Sequence, residues 1–295
     1  MSEAFLFSDD FWLESDTQGL SARSRLQERP LSPDQFKTYA RCQKKYELQY
    51  IRRLNWPSDQ RNFELGKNVH KLMEYQARNL PLSHLLKDAP ASTQQVWQKL
   101  FDHPISHWPI IASEWAFSAP VYLSESHSEE KYWISGRIDR IAWEEAAQTL
   151  WVLDWKTGTA APKKPETDWQ TRIYLWAVYR AYQTLQAEYR SLAHVDAGNT
   201  QLVSLPEVIL PEQIKFMYLE VSVKDSSAPI REIVVPFNQQ RLATVCDAIE
   251  QQLHKIQNST LNDTFPLPGA CPDAYCPYLN ICGIQDVSTA SPHKA

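Results

Sequence analysis

Two periodicities of apolar residues divide the chain, and the first is helical. Apolar and aromatic positions at helical spacing predict a helix over residues 31–54, with Ser32 as N-cap and Pro33 at the first helical position. A second helix is predicted over residues 62–80, and a polar linker and a shorter helix follow to about residue 102. The first third of the chain is therefore expected to be helical.

The middle of the chain changes to strand-length runs of β-branched and aromatic residues. Three such runs lie at 113–123, 131–143 and 149–155, and the short segment between the last two suits an antiparallel hairpin. The remaining predicted elements are a helix at 167–189, a surface loop at 191–212, strands at 213–223 and 231–237, and a helix at 238–257 capped by Asn238. This order predicts an α/β domain in which helices flank a central mixed β-sheet.

Composition is that of a globular protein and narrows the function classes. The chain has 295 residues, of which 43% are hydrophobic and 22% charged. Its net charge of −5 argues against a general nucleic-acid coat but allows a local basic cleft, since Lys and Arg cluster at 41–53 and 66–71. No apolar run approaches the roughly 18 residues of a membrane span. The acidic N-terminus lacks the basic region of a signal peptide, which predicts a cytoplasmic protein.

The segment WVLDWKTG at 151–158 carries the first candidate chemistry. In a strand, Asp154 and Lys156 share one face while Trp155 points to the other. Hairpin pairing would bring Asp139 of the preceding strand close to Asp154, and two neighbouring carboxylates repel unless a cation lies between them. A hard divalent ion such as Mg²⁺ meets that need, and Lys156 could orient water or stabilise charge on a phosphate. On these residues alone, an exposed Asp139–Arg140 turn and an ion pair without chemistry remain an alternative.

Two helices offer further candidates of lower specificity. Gln170 and Tyr174 lie one turn apart on the helix that follows the Asp-x-Lys strand. His70 lies near the middle of the second helix, and a neutral imidazole can complete a metal shell. Taken alone, a Gln–Tyr pair more often belongs to an ordinary amphipathic helix, and a lone helical histidine is more often a packed or surface residue.

The order of these segments resembles a known family. A helix with His70 is followed by SEWAF, GRIDRI, LDWKTG and QTRIYLW, a series similar to that of the PD-(D/E)XK nuclease superfamily. The likeness is to its RecB-like branch, which includes the AddB nuclease domain and iron–sulfur CRISPR-associated exonucleases. It covers roughly residues 31–284 and implies a core like that of restriction endonucleases.

The resemblance implies hydrolysis of DNA phosphodiester bonds with Mg²⁺ or Mn²⁺. The metal ligands that it implies are His70, Asp139 and Asp154. The catalytic residues that it implies are Asp139, Asp154, Lys156, Gln170 and Tyr174. Glu114 corresponds to an acid on the preceding strand, and we expect it to support the site rather than bind metal. Single-stranded or end-containing DNA is the implied partner. The chain has no G-x-x-x-x-G-K-[ST] motor motif, so a helicase or a repair, recombination or CRISPR partner would be a separate chain.

The cysteines predict a second metal site. Cys271, Cys276 and Cys282 form a C-x4-C-x5-C pattern that needs a fourth ligand, for which Cys42 is the candidate. The resemblance implies a 4Fe–4S cluster on these four thiols, although the family's usual late pattern is C-x2-C-x5-C. Two alternatives stay open. One is a zinc site with four thiolate ligands, and the other is that the three late cysteines are unconnected. Cys246 lies in an apolar helical stretch and is interpreted as a core thiol.

These observations predict three segments and one leading function. The segments are an N-terminal arm at 1–30, a nuclease domain at 31–284 that includes the cysteine region 271–282, and a disordered tail at 285–295. The leading hypothesis is a DNA nuclease. The alternative is a DNA-binding module of the same fold that does not cleave and is stabilised by an iron–sulfur or zinc site. An electron-transfer protein would leave the Asp-x-Lys and Gln–Tyr series unexplained.

Overall fold

The structure is a computed structural model. It describes residues 29–54, 61–123, 131–157, 160–195, 203–223, 225, 227–273 and 275–282. The predicted arm therefore lies outside the described residues except for Arg29 and Pro30, and the predicted tail lies wholly outside them.

Helices precede, interrupt and follow five strands. The helices are α1 (Pro33–Arg41), α2 (Gln43–Tyr46), α3 (Arg61–Ala77), α4 (Ser83–Asp88), α5 (Ala91–Asp102), α6 (Trp169–Arg180), α7 (Tyr182–Val195), α8 (Gln239–Leu261) and α9 (Leu279–Cys282). A π-helical turn at Glu47–Ile51 continues α2, and short 3-10 turns lie at Pro104–His107, Pro165–Thr167 and Pro211–Gln213. The strands are β1 (Ile110–Tyr122), β2 (Lys131–Glu144), β3 (Thr149–Thr157), β4 (Ile214–Val221) and β5 (Arg231–Pro236).

The five strands form one mixed sheet in the order β1-β2-β3-β4-β5. β2 and β3 form the predicted antiparallel hairpin, with Glu144 opposite Thr149 at its closed end. β3 and β4 are parallel, and the outer pairs are antiparallel. Because parallel neighbours require a crossover, α6 and α7 fill the connection between β3 and β4. The predicted mixed sheet flanked by helices is confirmed.

Two hydrophobic clusters cover the two faces of the sheet. One joins β3 residues such as Val152 to α1, α6, α7 and α8. The other joins Leu153 and Trp155 of the same strand to α3 and α5. β3 is thus buried on both sides, as expected of a strand with a parallel neighbour under helical layers. Residues at its end are consequently held on a rigid support.

Local sequence explains where several helices begin. The Ser32 hydroxyl accepts a hydrogen bond from the Gln35 N–H, and the Gln35 side chain accepts one from the Ser32 N–H, which forms a capping box ahead of Pro33. Asn238 caps α8 through the Arg241 N–H, as predicted. Asp168 caps α6 through the Gln170 N–H, which places Gln170 in the first turn of that helix.

Two predicted helices are interrupted. The helix expected over 31–54 breaks at Cys42, whose extended backbone (φ −158°, ψ 107°) ends α1 and begins α2. The helix expected over 167–189 divides at Ala181 into α6 and α7, and α7 continues to Val195, inside the predicted loop. In both cases periodicity located the helical segment but carried no signal for the break.

Among the described residues, none of the helices has both the length and the apolar character required to cross a bilayer.

A glycine on β2 gives a test of this packing. An added Cβ at Gly136 would lie 2.8 Å from the Phe117 ring and 3.0 Å from the Tyr174 ring. Gly136→Ala should therefore lower the free energy of unfolding by about 1–3 kcal/mol through overpacking. Urea denaturation measures the change. The control is Gly269→Ala, because nothing lies within 4 Å of a Cβ added there. Equal stability of the two variants would contradict this packing.

Candidate functional site

The site lies where the β2–β3 ladder ends. The last main-chain pair of the β2–β3 ladder is Arg140 with Leu153. The next residues outward are Asp139 on β2 and Asp154 on β3. Beyond that point the Trp155 N–H donates to Asp139 Oδ2 at 2.8 Å, so a carboxylate replaces the main-chain acceptor. Asp139 and Asp154 are 8% and 2% exposed. The two acids lie next to each other where the β2–β3 pairing ends, as the predicted hairpin implies, although Asp139 is in the middle of β2.

A hydrogen-bonded group around Lys156 forms one half of the site. Lys156 Nζ lies 2.7 Å from Asp154 Oδ2 and donates to Gln170 Oε1 at 3.1 Å. The Gln170 amide in turn donates to Asp154 Oδ1. The helical cap at Asp168 places Gln170 here, so the first turn of α6 holds both the acid and the ammonium group of the Asp-x-Lys strand.

His70, Glu114 and Asp139 form the other half. His70 Nδ1 on α3 lies 3.4 Å from Glu114 Oε1 on β1 and 3.4 Å from Asp139 Oδ1 on β2. One ligand atom from each of the three residues lies within 4.8 Å of the other two. Sequence reasoning gave Glu114 only a supporting role, whereas the structure places its carboxylate among the candidate metal ligands. Asp154 is not a member of this group of three.

The backbone at Glu114 has a left-handed conformation, with φ of 49°. This is uncommon for a residue with a Cβ, and such conformations cost about 1–3 kcal/mol and cluster at functional sites. Neighbouring residues Ser113 and Trp115 keep their pairing with β2. The distortion is thus confined to the residue that carries the carboxylate. The alternating pattern of a strand gives no signal for it.

Burial and like charge set the electrostatics of the site. Burial raises the pKa of Asp139 and of Asp154, and their mutual repulsion raises that of Asp139 further. Burial alone would lower the pKa of His70, but the charges of Asp139 and Glu114 raise it to about 9. For Lys156 the lowering by burial is outweighed by the charge of Asp154, so its pKa is raised. The raised pKa values of His70 and Lys156 show that the acids of the site stabilise the protonated forms of both residues.

Tyr218 on β4 contacts the Lys156 half of the site. It lies beside Asp154 in the parallel β3–β4 pairing, and Lys156 Nζ is 5.3 Å from the centroid of its ring. Its hydroxyl is 2.8 Å from Thr171 Oγ1 and donates to Asp168 Oδ1 at 3.4 Å. Tyr218 therefore connects the catalytic-lysine candidate to the start of α6. A tyrosine inside a β-strand pattern indicates only a core residue, so the sequence carried no signal for this contact.

Tyr174 and Arg140 depart from their expected environments. The Tyr174 ring is buried, 5.9 Å from Phe117 and 6.4 Å from Phe216, while its hydroxyl is hydrogen bonded with Gln170. Its role stays a prediction. Arg140 is 0% exposed within β2, so the alternative of an exposed Asp139–Arg140 turn is wrong.

The residues present fit a divalent cation. Two carboxylates and an imidazole converge, and hard cations prefer oxygen ligands. Asp154 Oδ2 is buried and is ion-paired with Lys156 Nζ at 2.7 Å. A divalent cation at the group of three would add to the positive charge that these neighbouring buried carboxylates require.

The cysteine region packs beside the C-terminal end of α1 and the start of α2. Basic residues of the predicted run 41–53 fix the C-terminal segment to it: Arg41 donates to the Pro272 carbonyl, and Lys45 pairs with Asp273 at 3.4 Å. This run therefore makes contacts within the chain instead of forming a bare basic face. Cys271 and Cys276 are buried beside Leu48, and Cys282 packs against the same cluster.

The thiols do not form a ready ligand set. Cys42 Sγ accepts from the Lys45 N–H, and Cys271 Sγ donates to the Asp273 carbonyl. Within the described part of the chain, no three cysteines have their sulfur atoms within 4.8 Å of one another. A tetrahedral zinc site with Zn–S bonds of about 2.3 Å would require that. Cys246 is only half-buried against the core, and burial raises its pKa.

The pKa of His70 predicts how stability varies with pH. A folded-state pKa of about 9, above the ordinary value of 6.5, means that the native protein holds a proton which the unfolded chain releases. This stabilisation is complete below pH 6.5 and is lost as pH rises through 9. Urea unfolding in chelator should therefore show falling stability over this range, and His70→Gln should flatten the fall. His107→Gln, at an exposed histidine, is the control. Parallel profiles for wild type and His70→Gln would contradict the assignment.

Comparison with known proteins places this geometry in a family. Residues 30–283 match the family described as the PD-(D/E)XK nuclease superfamily. A crystal structure of a "Putative exonuclease" from Eubacterium rectale is similar with a TM-score of 0.46 and 11% sequence identity, over 86% of this chain and 89% of that chain. Among curated proteins no match is found. Since the family match spans nearly all of the described residues, the chain belongs to the PD-(D/E)XK nuclease superfamily.

Proposed function

We propose that this protein hydrolyses DNA phosphodiester bonds with the help of Mg²⁺ or Mn²⁺. The observation that carries the proposal is the meeting of Asp139, Asp154 and Lys156 at the end of the β2–β3 ladder. Membership of a nuclease superfamily supports the reaction class. The metal identity rests on the oxygen-rich donor set, which hard divalent cations prefer.

The acidic half of the site would hold the metal. His70, Glu114 and Asp139 offer converging ligand atoms, and Asp154 stays a proposed ligand whose Oδ2 is ion-paired with Lys156. A bound divalent cation would polarise the scissile phosphate and lower the pKa of an attacking water. Asp139 is oriented for this role by the Trp155 N–H. Glu114 joins the predicted ligands as a fourth candidate.

Lys156 would act on the phosphate. Its side chain is 20% exposed, and its ammonium group contacts Asp154 and Gln170. A fixed positive charge at the edge of a buried site stabilises charge that develops on phosphate oxygens or orients an attacking water. Gln170 keeps the ammonium in place without changing its charge. Tyr174 stays among the proposed catalytic residues, with its ring buried beside the site.

The finer substrate assignment rests on the resemblance. We propose single-stranded or end-containing DNA as the substrate and a separate helicase, repair or CRISPR partner. A single nuclease domain over residues 31–284 and a cytoplasmic location belong to the same proposal.

We also propose that Cys42, Cys271, Cys276 and Cys282 hold a 4Fe–4S cluster, with zinc as the competing metal. Support comes from the spacing of the late cysteines and from the contacts that fix residues 271–273 beside Cys42. Because the thiols are not arranged as a cluster in this structure, no catalytic step is assigned to it. Its role would be to tie the two ends of the domain together.

Removing the lysine tests the nuclease proposal. Lys156→Ala should lower cleavage of labelled single-stranded DNA in Mn²⁺ by about a hundredfold or more while DNA binding persists, because an electrostatic group is lost from the reacting phosphate. Chelator should abolish cleavage by the wild type. Lys255→Ala removes an exposed lysine of α8 and is the matched control. Metal-independent binding of DNA without any cutting by the wild type would instead support the non-cleaving module.

Metal analysis tests the cysteine proposal independently. Protein purified without oxygen should be brown and contain about four irons per chain. Cys282→Ser should lose the iron, whereas Cys246→Ser should retain it, since Cys246 lies on α8 in the main core. Colourless protein loaded with zinc would reject the cluster and leave the nuclease proposal standing.

A further inference from the structure

A buried arginine next to the site has no role in the chemistry described above. Arg140 follows Asp139 on β2 and is fully buried. Its Nη2 donates to the Met73 carbonyl on α3 at 3.0 Å, while Nε and Nη1 have no hydrogen-bond partner among the described residues. Its guanidinium carbon is 5.3 Å from the centroid of the Trp155 ring. No carboxylate is hydrogen bonded to it within the described part of the chain.

We propose that Arg140 is a positioning residue that fixes α3, and with it His70, against the strands that carry Asp139, Asp154 and Lys156. The proposal rests on the metal site proposed above. It assigns Arg140 no contact with substrate or metal.

Two contacts of Arg140 and its position next to Asp139 connect three elements of the site. Met73 lies three residues after His70, about one turn along α3. Trp155 stands between Asp154 and Lys156, and its N–H orients Asp139. Arg140 itself is the neighbour of Asp139. One side chain therefore links the helix that brings His70 to both strands that bring the acids.

A directional contact is needed at this place. Apart from the 3.4 Å contacts that His70 itself makes with Glu114 and Asp139, α3 meets the sheet mainly through apolar residues such as Val69 and Leu72. Apolar contacts are non-directional and fix position along the helix axis less well than a hydrogen bond does. A hydrogen bond to a helix carbonyl does fix it. Metal ligands must be held within about 0.5 Å, so the bond from Arg140 supplies what the apolar layer lacks.

Stability alone gives no reason for a charge at this position. A buried guanidinium with two nitrogens lacking partners is costly, and apolar residues of similar volume are often neutral or stabilising at such sites. A merely structural Arg140 would thus be replaceable by Met without consequence for the site. A positioning Arg140 would not be.

The experiment measures Mn²⁺ binding to the full chain by electron paramagnetic resonance of the free ion, with thermal unfolding as a second readout. Arg140→Met and Arg140→Lys should each weaken Mn²⁺ binding about tenfold or more, as loss of a group that orients ligands does. Arg140→Met should unfold at the wild-type temperature or higher. Because removal of a positive charge alone would strengthen cation binding, weakening identifies displaced ligands. Arg140→Lys keeps the positive charge but lacks the planar set of guanidinium N–H donors.

Leu100→Ala is the control. Leu100 lies fully buried on α5 in the same apolar layer, so its truncation lowers stability without touching Arg140. It should unfold earlier and bind Mn²⁺ like the wild type. Wild-type affinity in both Arg140 variants, or tighter binding by Arg140→Met, would overturn this inference alone. Absence of Mn²⁺ binding by the wild type would overturn the metal site and this inference with it.

Discussion

The site depends on the burial of Asp139 and Asp154 beside each other at the end of a two-stranded ladder. Like charges in a medium of low dielectric repel strongly, and burial opposes the charge of each. The protein answers with cations: His70 faces Asp139 and Lys156 faces Asp154. A divalent cation would neutralise the same carboxylates without needing the proton on His70. The repulsion between the two carboxylates, which is unfavourable without a metal, therefore favours binding of a divalent cation.

The topology delivers the remaining groups to this point. Because β3 and β4 are parallel, the chain must cross over between them, and α6 begins that return beyond the end of β3. Gln170 in its first turn thus reaches Asp154 and Lys156 from one face. α3 packs on the other face and supplies His70. The gap beyond the last β2–β3 pair is where groups from both faces meet.

Sequence predicted the scaffold better than the details of the site. Periodicity located the helices, strands and hairpin, and alternation placed Asp154 and Lys156 on one face because strand geometry repeats regularly. The left-handed backbone at Glu114 and the burial of Arg140 are set by tertiary contacts, which no local pattern encodes. Tyr174 shares helical spacing with Gln170, yet the helix tilts its ring into the core. Spacing defines a face but not its depth.

Three departures from ordinary protein chemistry lie around this gap, and Glu114 is the one left-handed non-glycine residue of the described chain that lies inside a strand. A left-handed non-glycine residue, two repelling buried carboxylates and a buried guanidinium with two nitrogens that lack a partner among the described residues each cost stability. They lie on β1, β2 and β3 around the same gap. The two layers around them are apolar and well packed. A marginally stable fold tolerates few such unfavourable contributions, so they persist only where the surrounding packing holds the groups in place. Their common location supports the proposal made above that the metal site lies in this gap, and it does so independently of any family likeness.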